Sequence, residues 1–181
     1  MPSALNHSLP RLPIGTVLLC VALAAGGCGS DSSGSSGGDV SFADSKKGLA
    51  DLVDATYEAV LSDLDPRRFP ENAIPCREGG GAGGATGDYA PNGALEFDVP
   101  SGDEATALVK QVRDYWEQQG YQGIQLVPSA EAVFAQTNGY RLSFEITPKQ
   151  GRGKLGGGGP CAKPASEEER KAPPEFRSLK R

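Results

Sequence analysis

Three carboxylates offer this chain its one opening for acid–base chemistry. Glu96 and Asp98 alternate with Leu95, Phe97 and Val99. Period-two alternation is the pattern of a half-buried strand. Both acids then lie on one face of that strand, roughly 7 Å apart from the strand rise. Glu145 sits in a second alternating run and can share the face. Paired carboxylates at such separations hydrolyse glycosides. Alternating acids are equally what a solvated sheet face looks like, and the domain is small for a sugar cleft. The same three acids can hold a cation weakly, but no EF-hand spacing of oxygen ligands is present. Histidine-dependent nucleophilic catalysis lacks its base, because the single histidine, His7, lies in a segment that reads as a removable signal. No catalytic set, metal site or cofactor is expected.

Two glycine-rich stretches match phosphate-binding patterns in form only. Gly79-Gly80-Gly81-Ala82-Gly83-Gly84 fits GxGxxG. That motif works where a strand precedes it and a helix follows, so that backbone N–H groups meet a phosphate. Here it follows Pro75-Cys76 and no helical pattern comes after it. Gly153-Lys154 resembles the end of a P-loop, but Leu155 stands where Ser or Thr is required and Pro148 where the first Gly belongs.

The cysteines carry a different chemistry. Residues 12–25, LPIGTVLLCVALAA, form a short apolar core behind Arg11. The run falls short of the about 20 residues a membrane span needs and has the layout of a secretory signal. Ala25-Gly26-Gly27-Cys28 has the form of a lipobox, with Ala25 where Leu or Val is commoner, and this makes Cys28 a lipid acceptor. Gly29–Gly38 is almost entirely Gly, Ser and Asp. Such a coil is flexible, with an end-to-end distance of roughly 17 Å. The expected organisation is a signal over 1–27, a tether over 28–41, a domain over 42–162 and a disordered tail over 163–181. The tail is rich in Pro, Glu, Lys and Arg.

Export places the remaining pair, Cys76 and Cys161, in an oxidising compartment, where an even pair reads as a disulfide. Metal sites bring three or four closely spaced ligands, and neither CxxC nor a downstream histidine is present. The 18 Lys+Arg less Arg11 leave 17 against 23 Asp+Glu, a side-chain charge of −6 beyond the signal. An acidic domain gives no footing for nucleic acid.

The elements that must position these groups follow from periodicity. Leu49, Leu52, Val53, Thr56, Tyr57, Val60, Leu61 and Leu64 recur at helical spacing over 44–64. Asp44 or Ser45 is the expected cap, Pro66 the stop, and Lys47, Asp51, Asp54, Glu58 and Asp63 the polar face. Residues 66–92 read as irregular. After the strand at 95–99, Ser101 and Glu104 form a capping box for a helix burying Ala105, Leu108, Val109, Val112 and Trp116. Gly120 is placed for a left-handed cap. Strands follow at 122–127, 131–137 and 140–147, the last two joined by an Asn138-Gly139 turn. The glycine-rich 151–159 reads as a loop, with Cys161 on a last short edge strand. Tyr115, Trp116 and Tyr121 cluster at one helix end, where core packing and a ligand platform both remain open.

The order predicts an α+β fold: a mostly antiparallel sheet with two helices packed on one face and one disulfide. Signal, Cys28, tether, amphipathic helix, Cys76, the VKQVRDYWEQQGY helix, the NGY hairpin and a final Cys161 together resemble actinobacterial lipoproteins of unknown function, including the LppA-like mycobacterial group. The likeness is one of layout over most of residues 20–162. It implies an anchored protein on the outer face of the cell membrane, Cys28 as lipid acceptor, and Cys76 and Cys161 as a structural pair. The expected role is non-catalytic, toward an unknown envelope protein, lipid or polymer. A small-solute or lipid binder is the alternative, and a carboxylate-dependent hydrolase the third reading.

Overall fold

A computed structural model describes residues 40–78, 83–100, 102–128 and 131–180. The signal, Cys28, nearly all of the tether, Gly79–Ala82 and Ser101 lie outside these residues.

The first described element is helix α1 (Phe42–Thr56), which continues as one π-helical turn over Tyr57–Leu61. The cap is Ser41 rather than Asp44 or Ser45. The Ser41 side chain accepts from the Asp44 backbone N–H at 3.0 Å and donates to the Asp44 carboxylate at 2.7 Å. The helix starts earlier than its charge pattern implies because Phe42, at its first position, is buried. Strands β1 (Arg67–Phe69), β2 (Ile74–Arg77) and β3 (Ala85–Ala90) occupy the stretch expected to be irregular. They are short and rich in Pro and Gly, so their period-two signal is weak.

Strand β4 (Asn92–Asp98), helix α2 (Asp103–Gln118), and strands β5 (Gln122–Val127), β6 (Ala132–Thr137) and β7 (Tyr140–Thr147) follow as expected. Gly120 is left-handed at φ 73°, and Asn138 and Gly139 carry φ of 47° and 83° in the hairpin turn. Helix α2 is capped at Gly102, with no side-chain cap bond.

Residues 151–159 are not a loop. Strand β8 (Arg152–Gly158) lies inside the sheet, between β4 and β7. The six-stranded sheet runs β1-β4-β8-β7-β6-β5 with every pair antiparallel, and β2 and β3 form a separate two-stranded ribbon. The glycines are there because neighbours come too close for a side chain. A Cβ on Gly156 would lie 2.4 Å from the Ala94 Cβ, and one on Gly157 would lie 2.1 Å from the Arg141 carbonyl.

Register sets Leu95, Leu155, Phe144 and Val133 side by side across four strands. They join one buried cluster with Leu49, Val53, Tyr57 and Leu61 of the first helical segment and Ala105, Val109, Val112 and Trp116 of α2. Tyr57 stacks on Phe97 with centroids 5.9 Å apart. The Trp116 indole N–H donates to the Thr56 hydroxyl at 3.0 Å, both residues being fully buried. Trp116 is therefore a core residue, and Tyr121 stacks on it at 6.3 Å.

The expected disordered tail is ordered to Lys180. It carries helix α3 (Glu167–Lys171) and a 3-10 turn over Arg177–Lys180. Phe176 is 1% exposed and belongs to the core cluster. Asp54, expected on the solvated face of α1, is fully buried because the tail covers it. Its carboxylate accepts from the backbone N–H groups of Arg177 at 2.8 Å and Ser178 at 3.2 Å. The Lys46 ammonium donates to the Glu169 and Ala172 carbonyls at the end of α3. Phe176, Leu179, the Asp54 acceptor and the Lys46 and Arg68 donors together hold a segment whose overall composition is that of a free tail.

Cys76 and Cys161 are joined, with a Cα–Cα separation of 6.2 Å. Beside the bond, Tyr89 and Ala162 exchange two backbone hydrogen bonds, at 2.9 and 3.0 Å. The disulfide thus ties β2 to the segment leaving β8, and the bridge ties β3 to it.

Candidate functional site

Residues that alternate with the buried set face the other side of the sheet. Two regions share this outer face. At one end, the register aligns Arg67, Glu96, Lys154, Glu145 and Ala132 across five strands, with Asp98, Arg152 and Thr147 in the next row. Glu96, Asp98 and Glu145 do share a face, as their spacing predicts. They do not form an acid–base pair. The Arg67 guanidinium grips Asp98 with two bonds of 2.7 and 2.8 Å and reaches Glu96 at 3.5 Å. Arg152 pairs with Glu96 at 3.1 Å. Lys154, between Glu96 and Glu145 in register, turns its ammonium to Glu71 at 2.9 Å and over the Phe69 ring.

The Arg67 hydrogen bonds hold the Asp98 carboxyl below the ordinary carboxylate range. A glycosidase general acid needs the opposite shift. This row is an ion-pair lattice fastening the edge strand β1 to the sheet. Among the described residues, no group of three or more His, Cys, Asp or Glu is placed to hold a metal ion.

Toward the other end the face changes character. Phe134, Ser143, Gly156 and Ala94 form one row, and Gln136, Arg141, Gly158 and Asn92 the next. Above these rows stands the β2–β3 ribbon, held by the disulfide. Between them runs an open groove of ≈ 990 Å³. Its floor is Ser143, Gly157 and Gly158; Ile74, Pro75 and Ala90 wall one side, and Phe134 and Pro160 line it further along. Ile74 and Phe134 are 52% and 37% exposed, two of the four large apolar side chains that are exposed among the described residues.

Among the described residues its charged lining residues are Arg77 and Arg141, and no acid lines it. The other described arginines are engaged: 67, 113, 152, 170 and 177 with carboxylates, and Arg68 with the Pro174 carbonyl. Arg77 and Arg141 make no such bond among the described residues. Glycine at 158 also stands apart from its neighbours in β8. A Cβ there would meet only the Pro91 carbonyl, at 3.7 Å, which is ordinary contact. Packing does not demand glycine at this point, and its absence of a side chain keeps the groove floor open.

Comparison with protein-family models, curated proteins and solved structures finds no match to this chain. The site therefore has to be read from its own chemistry. A second crevice, under the tail between Phe42, Lys46, Glu71 and Pro174, has no room for a ligand. The Gly79–Gly84 segment joins two strands, β2 and β3, rather than opening a helix. No helix among the described residues is long and apolar enough to cross a membrane.

Sequence reasoning found Cys76 and Cys161 but not the groove they frame. One residue signalled it: Phe134, a bulky aromatic out of phase with the buried Val133 and Ala135 of its own strand. Arg77, Arg141 and Gly158 carry no such mark, because their meaning depends on partners that other strands fail to supply.

Proposed function

We propose that this chain is an exported lipoprotein, anchored through Cys28 on the outer face of the cell membrane, whose domain binds a component of the envelope without catalysing a reaction. The observation that carries the binding reading is the groove: a concave, mostly apolar surface beside two unpaired guanidinium groups. Ligand sites are concave and largely apolar, with a few placed polar groups, over about 300–1,000 Å³. In the acid-rich row beside it Glu96 and Asp98 are held in ion pairs by Arg67 and Arg152, which weighs against the carboxylate-dependent hydrolase.

Support for the anchor comes from Ala25-Gly26-Gly27-Cys28, the Gly/Ser tether behind it, and a disulfide suited to an oxidising compartment. Fractionation of cells tests it. The native chain is expected with the membranes, and the Cys28→Ala chain in the soluble extracytoplasmic fraction. Retention of the Cys28→Ala chain on membranes overturns the anchor. Between a protein partner and a small solute or lipid as the bound component, the groove favours the latter, since its apolar residues lie around a hollow of ≈ 990 Å³ with two arginines at its lining.

A further inference from the structure

Resting on the binding reading above, we infer that the groove takes the hydrocarbon chain of an anionic lipid, with its phosphate or carboxylate head held by Arg77 and Arg141. Three features of the groove lead to this occupant. Its apolar surface comes from Ile74, Phe134, Ala90 and Pro160, which provide contact but almost no hydrogen-bonding groups. A long apolar chain needs only such contact.

Its charge is one-signed. The protein is acidic overall, yet both charged residues lining the groove are arginines. A guanidinium matches a phosphate or carboxylate with two parallel bonds, and neither fork is engaged among the described residues. A cationic or zwitterionic head gains less at such a site, and a neutral head gains hydrogen bonds without the ion pair.

The backbone around the groove is closed to a peptide. The floor strands β7 and β8 lie inside the sheet, with both neighbours already paired. Strand β2, paired only with β3, has Pro75 at its second position, and proline lacks the N–H that strand addition requires. An extended peptide would leave its own amides without partners here. A hydrocarbon chain has none to satisfy. Gly158 fits the same occupant, since a bare floor admits a chain that any larger side chain would block.

The test uses the full chain carrying Cys28→Ala, titrated by calorimetry below micelle formation with dodecyl phosphate, dodecyltrimethylammonium, and inorganic phosphate. Dodecyl phosphate is expected to bind at one site, at least tenfold more tightly than dodecyltrimethylammonium, with no binding of inorganic phosphate. The Arg77→Gln/Arg141→Gln chain is expected to lose at least tenfold for dodecyl phosphate and nothing for dodecyltrimethylammonium. Gly158→Leu is expected to abolish binding of both while the melting temperature stays within a few degrees.

Equal binding of the two amphiphiles, binding of inorganic phosphate as tight as that of dodecyl phosphate, or full binding in the Gly158→Leu chain each overturns the inference. The first of these leaves a groove that binds apolar chains without regard to charge, and so leaves the broader reading standing. Silence from all three probes, together with a crosslinked protein partner that Gly158→Leu displaces, overturns the lipid occupant and returns the groove to a protein. Silence with no partner displaced by Gly158→Leu overturns both.

Discussion

Asp54 is a charged side chain in the interior, and its two backbone partners explain why it is tolerated. The carboxylate takes the first N–H groups of the final 3-10 turn, which otherwise have no acceptor inside that turn. Buried charges are stable only when hydrogen-bonded in this way. Asp54→Ala is expected to cost about 1–3 kcal/mol, the penalty for stranding buried donors. Chemical denaturation measures it, and early proteolysis near residues 172–180 should accompany it. Asp54→Asn keeps an acceptor oxygen and should recover part of the loss. At the surface, Glu167 is held well down, to about 2 from an ordinary 4.5, by hydrogen bonds from Arg170 and then Lys171. A carboxyl whose value falls on folding contributes stability above its ordinary value, and that contribution is lost as pH falls through the folded one. The stability contributed by pairing within α3 is therefore expected to be whole at pH 5 and to be lost between about pH 4.5 and about 2, with the pair itself breaking near the lower value. A carboxyl-carbon NMR titration reads this directly, and a Glu167 midpoint near 4.5 would contradict it. The Glu167 pairs are local, three and four residues along α3, whereas the role of Asp54 is not visible in its own neighbours along the chain. Asp54 follows the polar phase of its helix, and only the docked tail makes it internal.

Strand β8 shows how element type can be masked by composition. RGKLGGG has one large apolar residue, Leu155, and no usable alternation. Its strand character comes from two partners, β4 and β7, whose own period-two patterns are plain. Glycine is depleted in strands, and it costs entropy wherever nothing else requires it. Here close approach requires it at two adjacent positions and not at the third. Gly156→Ala is expected to destabilise by about 1–3 kcal/mol through overpacking against Ala94. Gly158→Ala, with its nearest neighbour at ordinary contact distance, is expected to be neutral or slightly stabilising. Thermal melts of the two variants side by side test this, and equal losses would mean that close packing does not explain the glycines. The helices and the β6–β7 hairpin were readable because local signals agree: periodic apolar residues, the Asn138-Gly139 turn and the Gly120 cap. Strands β1 to β3 were not: β1 is a three-residue edge strand held by β4, and the β2–β3 ribbon, bounded by Pro and Gly, is held by the Tyr89–Ala162 bridge and the disulfide rather than by propensity.

At the scale of the whole molecule, two long-range ties close the structure. The disulfide spans 85 residues, and the chain-entropy account gives about 4.5 kcal/mol for such a loop. Cys76→Ser/Cys161→Ser is expected to lose about 2–4 kcal/mol in denaturant unfolding. It should also weaken dodecyl phosphate binding, because the ribbon that walls the groove loses its covalent tie. The tail is the second tie. Phe176→Ala is expected to cost about 3–5 kcal/mol, as for other large core side chains. A neutral result would mean that the tail lies on the domain without contributing to it. Sequence alone determined the α+β class, both main helices, the hairpin and the cysteine pairing, because each rests on local periodicity, on turn chemistry, or on there being only two candidate partners. Tertiary structure decided the rest. It made a glycine run into a central strand and a polar tail into a strap docked through Phe176 and Ser178. It also spent Glu96 and Asp98 of the outer face on Arg67 and Arg152 while giving Arg77 and Arg141 no carboxylate among the described residues. Those outcomes depend on which groups meet across tens of residues, and no window along the chain contains both members of such a pair.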